Sequence, residues 1–212
     1  VEAMAGTSQS LVRAVSGDAE GERGTVRVSA SEVMGAQVLP RILAGVVAAH
    51  DGLQVEVSVS DENADLLHRE VDVAVRMVRP SQVGLVAKRV GGRPIGVFAS
   101  AVYLEDHGRP ASRESLAAHR WVGFDRRDLL APALQAAGVH VPRERFVFRS
   151  DDSLAQLNAM RSAVGIGVYQ VPLAEEAGLQ RLGHEIEFEL ETWVVTHEEL
   201  RSLRRVSVVF DA

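Results

Sequence analysis

The chain has 212 residues, with 23 Lys and Arg against 29 Asp and Glu, and a net charge of -6. This charge argues against nucleic-acid binding by the chain itself, because phosphate contacts need clustered Lys and Arg. It is 46% apolar and contains no Cys, which favours an ordinary globular core and excludes a disulfide framework or a thiolate metal site. No apolar stretch approaches the roughly 18 residues of a membrane span, and no secretory signal pattern opens the chain, so we expect a cytoplasmic protein without membrane contact.

The first 16 residues have the spacing of a helix. Apolar residues stand at a/d-like positions, interrupted by Ser8: Val1, Met4, Leu11 and Val15. This pattern predicts the end of a longer helix, and a terminal helix packed on its own domain is the alternative. Residues 17–24, "GDAEGERG", are typical of a polar, glycine-rich linker.

Strand and helix patterns then alternate up to residue 80. Three segments alternate or run apolar like strands: "TVRVSA" (25–30), "LQVEVSVS" (53–60) and "VDVAVRM" (71–77). A helix with Ser31 as its N-cap fills the first gap, and "ADLLHRE" (64–70) fills the second. The order βαβαβ predicts a parallel sheet with right-handed crossovers.

The rest of the chain also alternates between the two kinds of element. Residues 85–100 form an extended run, broken by Gly91-Gly92 and by Pro94. After it the patterns predict helices at 101–108, 112–119, 128–138 and 152–165 and strands at 120–125, 145–150 and 166–171. A strand at 187–200 and a helix at 201–212 complete the α/β pattern.

Polar side chains follow two strands of the predicted parallel sheet. Ser29–Glu32 follow the first strand and Ser60–Asn63 the second. Ligands of open parallel sheets sit outside the carboxyl ends of the strands, next to helix N-termini that favour polar or anionic groups. The sequence therefore predicts a ligand site at this edge, and simple helix capping by Asp61 or Asn63 is the alternative.

Motifs for catalysis or cofactor binding are incomplete. Gly165 and Gly167 begin a GxGxxG pattern that is not completed, and they follow a helix rather than a strand. There is no Walker A, GxSxG or HExxH sequence, and "THEEL" (196–200) lacks a second His. The paired acids of "SDD" (150–152) are as well explained by a helix N-cap. No pattern predicts catalysis, a metal site or a cofactor.

Arg76 is unusual because it places a guanidinium at the end of a buried strand. It either pairs with an acid such as Asp72 in the core or faces a ligand carboxylate. The sequence leaves both interpretations open.

Five blocks in order resemble the effector-binding half of LysR-type transcriptional regulators over about residues 24 to 212. They are "GTVRVSASEVMGAQVLPRIL", "LQVEVSVSDENADLLHREVDVAVRM", "LVAKRVGGRPIGVFASAVYLEDHGRP", "ESLAAHRWVGFD" and "AVGIGVYQVP". The second and third are the most specific, and the five in register carry the resemblance together. The family's winged helix-turn-helix precedes this region and is not in the sequence, so residues 1–16 resemble the end of the linker helix that pairs two subunits.

The resemblance implies two Rossmann-like subdomains joined by a two-strand hinge, of the type-2 periplasmic-binding-protein kind. Subdomain I would combine residues 25–90 with 190–212, and subdomain II would span 91–189. An inducer would lie between the subdomains. The resemblance implies that these residues bind it: Ser31, Glu32, Val33, Ser60, Asp61, Arg76, Phe98, Ala99, Asp151 and Ile166.

The resemblance also implies partners: a small-molecule inducer, a second copy in a homodimer or homotetramer, and DNA only through the N-terminal domain outside this sequence. No cofactor is expected. A solute-binding protein of a transporter is the alternative function, and an enzyme on the same fold, such as a deaminase or decarboxylating transferase, is a third.

Overall fold

Strands and helices alternate along the chain in the computed structural model, which describes residues 21–60, 71–80, 82–126 and 131–212. The strands are β1 (Gly24–Ala30), β2 (Leu53–Val59), β3 (Val73–Arg76), β4 (Leu85–Ala99), β5 (Trp121–Gly123), β6 (Phe146–Arg149), β7 (Gly167–Gln170) and β8 (Gln180–His197). The α-helices are α1 (Leu39–Ala49), α2 (Ala101–His107), α3 (Arg113–Ala118), α4 (Ala131–Ala136), α5 (Ser153–Arg161), α6 (Val171–Glu176), α7 (Glu198–Arg201) and α8 (Arg204–Asp211). A π-helical turn, Met34–Val38, precedes α1, and a 3₁₀ turn, Arg143–Arg145, precedes β6. The α/β class predicted from the sequence is confirmed.

Some predicted segments lie outside the described residues. They are the helix at 1–16, the linker up to residue 20, the helix at 64–70 and the candidate site residue Asp61. Helix α6 was not predicted at all. Its first turn contains Pro172, which suits the start of a helix although it interrupts an apolar pattern.

The described residues fall into two compact units. One contains the described residues up to Gly91 together with Glu191–Ala212, and the other contains Gly92–Leu190. The chain passes from one unit to the other within the long strands β4 and β8.

The first unit has a parallel sheet at its centre. Strand β1 pairs in parallel with both β2 and β3, and β3 pairs antiparallel with the last part of β8. The parallel pairing of the predicted βαβαβ unit is therefore confirmed. Alternating apolar residues of β1 are buried, and α1 buries Leu39, Leu43 and Val46, which are spaced as one face of a helix.

The second unit has its own core. Strand β4 pairs antiparallel with β7, and β5 pairs in parallel with β6. A cluster of buried apolar side chains fills the space between these strands and α2, α3 and α4. Its largest members are Trp121, Tyr103 and Leu134, and all three are almost completely buried.

The predicted break at Gly91-Gly92 and Pro94 is wrong, because β4 runs without interruption from Leu85 to Ala99. Gly91 has a φ of +143°, which other residues rarely adopt, and a Cβ on Gly92 would lie 2.1 Å from the carboxyl group of Glu189. The two glycines therefore allow the strand to continue past its neighbour instead of ending it.

Candidate functional site

The carboxyl ends of the three parallel strands bring several predicted site residues together. Ala30, the last residue of β1, is in register with Val59 of β2 and with Val75 of β3. The Ser60 N–H continues this register by donating to the Ala30 carbonyl at 2.9 Å. Ser31, Ser60 and Arg76 therefore lie on one edge of the sheet, which we call the strand-end site.

Arg76 is fixed at the strand-end site by bonds to Ser29. Its Nη2 donates to the Ser29 hydroxyl at 2.8 Å, and its Nη1 donates to the carbonyls of Ser29 and Val75 at 3.2 and 3.0 Å. Ser29 is completely buried and Arg76 is half-buried. All three of these acceptors are neutral, and together they hold the guanidinium in one orientation.

Asp72 lies at the other end of β3. Its carboxylate accepts the Arg27 N–H at 2.7 Å, and its carbonyl accepts the Thr196 hydroxyl at 2.7 Å. Four residues of extended strand separate Asp72 from Arg76 by about 13 Å. This distance is too large for a direct ion pair, so the structure favours the interpretation in which Arg76 acts away from Asp72.

The chain enters its first helix directly above the strand-end site. Ser31 stands immediately before the helical turn, and its carbonyl accepts the Gly35 N–H at 2.8 Å. Glu32 and Val33 follow it and are half-buried. A Cβ on Gly35 would lie 2.7 Å from Cγ2 of Val59, so only glycine permits this close approach of helix and strand.

Three predicted site residues of the second unit are core residues. The side chains of Phe98, Ala99 and Ile166 are 0% exposed, and Ala99 and Ile166 belong to the same apolar cluster. Ile166 also exchanges main-chain bonds with Arg120 and Val122, at 2.9 and 2.7 Å. Contact between these residues and an effector stays a prediction.

The paired acids Asp151 and Asp152 have separate structural contacts. Asp152 is the N-cap of α5, where its carboxylate accepts the Ala155 N–H at 2.7 Å, as the capping interpretation predicted. Oδ1 of Asp151 accepts the N–H groups of Asp125 and Arg126, both at 3.1 Å. Asp151 therefore orders the loop after β5, and its predicted role toward an effector stays a prediction.

The two glycines of the incomplete GxGxxG pattern are required by packing. A Cβ on Gly165 would lie 2.6 Å from the carbonyl oxygen of Arg120, and one on Gly167 would lie 2.7 Å from the sulfur of Met160. These contacts account for both glycines without a dinucleotide.

We expect Gly165→Ala to lower the free energy of unfolding by about 1–3 kcal/mol, because the added methyl group meets main-chain atoms that do not rotate away. Gly45→Ala is the matched control, since nothing lies within 4 Å of a Cβ at this helical position. It should stabilise the chain by about 0.5–1 kcal/mol. Urea unfolding of both variants measures the difference, and equal effects would contradict the packing explanation.

A buried tyrosine of α2 contacts two histidines, His107 at the end of α2 and His119 after the end of α3. The Tyr103 hydroxyl accepts the Arg120 N–H at 3.1 Å and lies 3.1 Å from Nδ1 of His119. The Tyr103 ring stacks on His107 with centroids 4.3 Å apart. Because the hydroxyl already accepts from Arg120, its own proton is available to donate to Nδ1 of a neutral His119. Burial is the main cause that lowers the pKa of His119, and the charge of His107 lowers it further.

We expect the melting temperature to fall as the pH drops below about 6.5, the ordinary pKa of histidine. The pKa of His119 is lowered in the folded chain, so as the pH falls the unfolded chain binds the proton before the folded chain does. Proton binding therefore favours the unfolded state and lowers the free energy of unfolding. The contribution is complete above the unfolded pKa and is lost as pH falls through the folded pKa. His119→Gln keeps an acceptor for Tyr103 and should reduce the change in melting temperature between pH 7 and pH 5.5. An unchanged pH dependence would mean that other groups cause it.

Trp193 was not predicted at the strand-end site, and Ser29 was predicted only as one of the polar residues 29–32 that follow the first strand. Ser29 fixes Arg76. The sequence signal for Ser29 is a serine in the apolar end of one strand, when the neighbouring strand ends in an arginine. Trp193 of β8 is in register with Arg76, which puts the two side chains on the same face of the sheet. The Arg79 guanidinium lies 5.5 Å from the centre of a Trp193 ring. No local pattern reveals Trp193, because its place depends on the return of the chain from the second unit.

Within the described ranges, no group of three or more His, Asp or Glu side chains is arranged to hold a metal ion. No helix in the same ranges is both long enough and apolar enough to cross a membrane.

The two-unit α/β architecture is that of the periplasmic-binding-protein-like regulatory domains of LysR-type regulators. The regulatory domain of CrgA from Neisseria meningitidis superposes with a TM-score of 0.78 at 23% identity, over 89% of this chain and 96% of that one. Full-length AphB from Vibrio cholerae superposes with a TM-score of 0.74 at 18% identity, over 99% of this chain and 73% of that one.

The family model of the LysR substrate binding domain matches residues 19–212, so the chain belongs to this family. It is 28% identical over 155 residues to the HTH-type transcriptional activator AaeR of Escherichia coli, covering 71% of this chain and 48% of AaeR. It is 29% identical over 102 residues to the transcriptional regulator CrgA, covering 48% of this chain and 34% of CrgA. The chain thus spans about half the length of AaeR and about a third of the length of CrgA. The predicted resemblance is confirmed, and residues 19–212 are a LysR substrate binding domain.

Proposed function

We propose that this domain binds a small-molecule effector at the strand-end site and that this binding regulates the transcription factor to which the domain belongs. The observation that carries the proposal is the Arg76 guanidinium, held by buried Ser29 at the carboxyl ends of parallel strands. A guanidinium fixed at the ends of parallel strands suits recognition of a carboxylate, which guanidinium groups bind with two parallel bonds. A ligand that binds one state of the domain better would shift the population of that state.

The chemistry of the edge favours an effector that both donates and accepts hydrogen bonds. Ser31 and Ser60 offer hydroxyl groups, and Arg76 offers a positive charge. Glu32 adds an acid beside them, and Asp61 follows Ser60 in the sequence. The mixed charge disfavours a simple dianion and suits a small acid that also carries a hydroxyl or amino group.

We infer that the protein is a regulator rather than an enzyme, because the relatives reported above are transcriptional regulators. The net charge of -6 disfavours DNA binding by this chain itself, so we propose that a segment outside it binds DNA. A cytoplasmic location follows from the same role.

A thermal-shift screen tests effector binding. The chain is heated with each member of a panel of small organic acids that differ in hydroxyl, amino and aromatic substituents. We expect at least one monocarboxylate to raise the melting temperature and a dianion such as oxalate to have a smaller effect. A panel without any stabilising acid would contradict a carboxylate effector.

We also propose that two copies of the domain pair through β2 and α1. Strand β2 stands at one end of the sheet order, and apolar side chains on β2 and α1 are exposed: Val57 39%, Val59 46%, Ile42 40% and Val47 45%. Exposed apolar groups beside an open strand edge are typical of an interface.

At micromolar concentration we expect light scattering to give a mass near twice 22.9 kDa. Val57→Lys should lower the mass toward that of a monomer, because it places a charge in the proposed interface. Val147→Lys, at a valine that is 52% exposed on β6 of the other unit, is the control and should leave the mass unchanged. A monomer in all three proteins would contradict this pairing.

A further inference from the structure

The second unit carries a depression lined by three arginines that the proposed effector site does not use. Its volume is about 250 Å³. Residues 109–113 form one wall, residues 181–183 form the other, and buried Leu116 contributes apolar surface. Arg109, Arg113 and Arg181 are the charged groups of these walls.

The arginines differ in how their charges are used. Arg109 donates to the Arg181 carbonyl at 3.2 Å and to the Gln180 amide oxygen, both neutral acceptors. Arg113 forms no ion pair among the described residues, and its Nη1 lies 3.5 Å from the position of a Cβ on Gly138. Arg181 pairs with Glu187.

The charge of the depression remains positive after its acids are counted. Glu187 offsets Arg181, and exposed Glu114 lies next to Arg113 in the chain, which leaves an excess of about one positive charge from the three arginines. The Nε of Arg181 is buried and has no hydrogen-bond partner within the described residues. It lies against Gly96 of β4, 3.2 Å from the position of a Cβ there, so it does not contribute to an anion site in the open depression.

We propose that this depression is a second ligand site, which takes a small oxyanion of the phosphate kind. Guanidinium groups bind phosphate oxygens with paired hydrogen bonds, and several of them around one concave surface favour an anion with several oxygens. The volume lies below the roughly 300–1,000 Å³ of sites for drug-sized ligands, so it suits a single phosphate group.

The depression is distinct from the strand-end site. Helix α2 begins next to Ser100, after the predicted residues Phe98 and Ala99, and Arg109 follows its other end. Seven helical residues separate the two ends by about 10 Å. The strand-end residues Ser31, Ser60 and Arg76 belong to the other unit, so the two sites can be tested independently.

Titration calorimetry with inorganic phosphate, at constant ionic strength in chloride, tests the proposal. We expect wild type to bind and the double variant Arg109→Gln/Arg113→Gln to bind at least ten-fold more weakly. The control Arg145→Gln/Arg161→Gln removes two exposed arginines of the same unit and should bind like wild type. Should the double variant fail to fold, Arg113→Gln alone replaces it, because this side chain makes no ion pair among the described residues.

A parallel titration with glycerol 3-phosphate separates the two sources of the group. Tighter binding of the ester would identify a phosphorylated metabolite, and equal binding would identify free phosphate; either supports the site when the double variant loses it. Arg76→Gln should keep phosphate binding, which distinguishes this site from the effector site. No binding by wild type, or equal binding by the double variant, would overturn the proposal.

Discussion

Replacing Trp121 by Ala should lower the free energy of unfolding by about 3–5 kcal/mol, a large part of the stability of an ordinary domain. Trp121 is 0% exposed and occupies the centre of the second unit's core. Its ring lies 6.1 Å from that of Phe146, and its indole N–H donates to the Leu116 carbonyl at 3.1 Å. The substitution therefore removes a large buried ring and one of the donors to the Leu116 carbonyl, which also accepts the His119 N–H at 3.3 Å.

Trp121→Phe separates these two contributions. It retains an aromatic ring and loses the indole donor, so it should cost about 1–3 kcal/mol, less than the Ala variant. Urea unfolding followed by circular dichroism measures both variants. If Trp121→Ala changed the unfolding free energy by less than 1 kcal/mol, the core assigned to the second unit would be wrong.

Replacing Arg76 by Gln should weaken effector binding by about ten- to a hundred-fold, because a charge-assisted hydrogen bond contributes about 1.5–3 kcal/mol. The guanidinium is held by Ser29, so a carboxylate meets a donor that is already oriented. Lys88→Gln is the matched control. It removes a positive charge from an exposed residue of β4 in the same unit and should change affinity by less than three-fold.

The melting temperature of Arg76→Gln separates a binding role from a structural one. Lost affinity at an almost unchanged melting temperature supports contact with the effector. A collapse of the melting temperature, or unchanged affinity, would make Arg76 a structural residue and remove it from the site.

The strand-end site could largely be predicted from the sequence because its geometry follows from local patterns. The alternation in β1 and β2 and the short buried β3 define three parallel strands, and Ser31, Ser60 and Arg76 are the residues at their ends. The parts that could not be predicted depend on long-range packing. Trp193 lies opposite Arg76 only because β8 returns to pair with β3.

The degree of burial of the second-unit residues is another feature that depends on long-range packing. The resemblance implied that Phe98 and Ile166 contact an inducer, and both are apolar residues of segments predicted to be extended. Phe98 lies in β4, which pairs with β7, and Ile166 precedes β7 and forms a bridge to Trp121 of β5, and both side chains are fully buried. A sequence pattern shows that such residues are apolar but does not show which neighbours cover them.

Glycine positions were the least predictable feature. The pair Gly91-Gly92 suggested a break in β4, and Gly165 with Gly167 resembled part of a phosphate-binding pattern. The φ of Gly91 is positive, and a main-chain carbonyl passes within 3 Å of where a Cβ on Gly165 would be. At Gly92 and Gly167 the groups within 3 Å are the ends of the Glu189 and Met160 side chains. Both causes depend on atoms distant in sequence, or on backbone angles that the local pattern does not specify.

Hydrogen exchange followed by mass spectrometry, with and without the acid that most raises the melting temperature, tests the central claim most directly. The account predicts slower exchange in peptides that contain the ends of the three parallel strands, residues 29–35, 58–60 and 74–77. Peptides from α4 and β6 in the second unit should exchange at the same rate with and without the acid. Slowing confined to peptides outside the strand ends, or no slowing at all while the acid is bound, would contradict effector binding at the strand-end site.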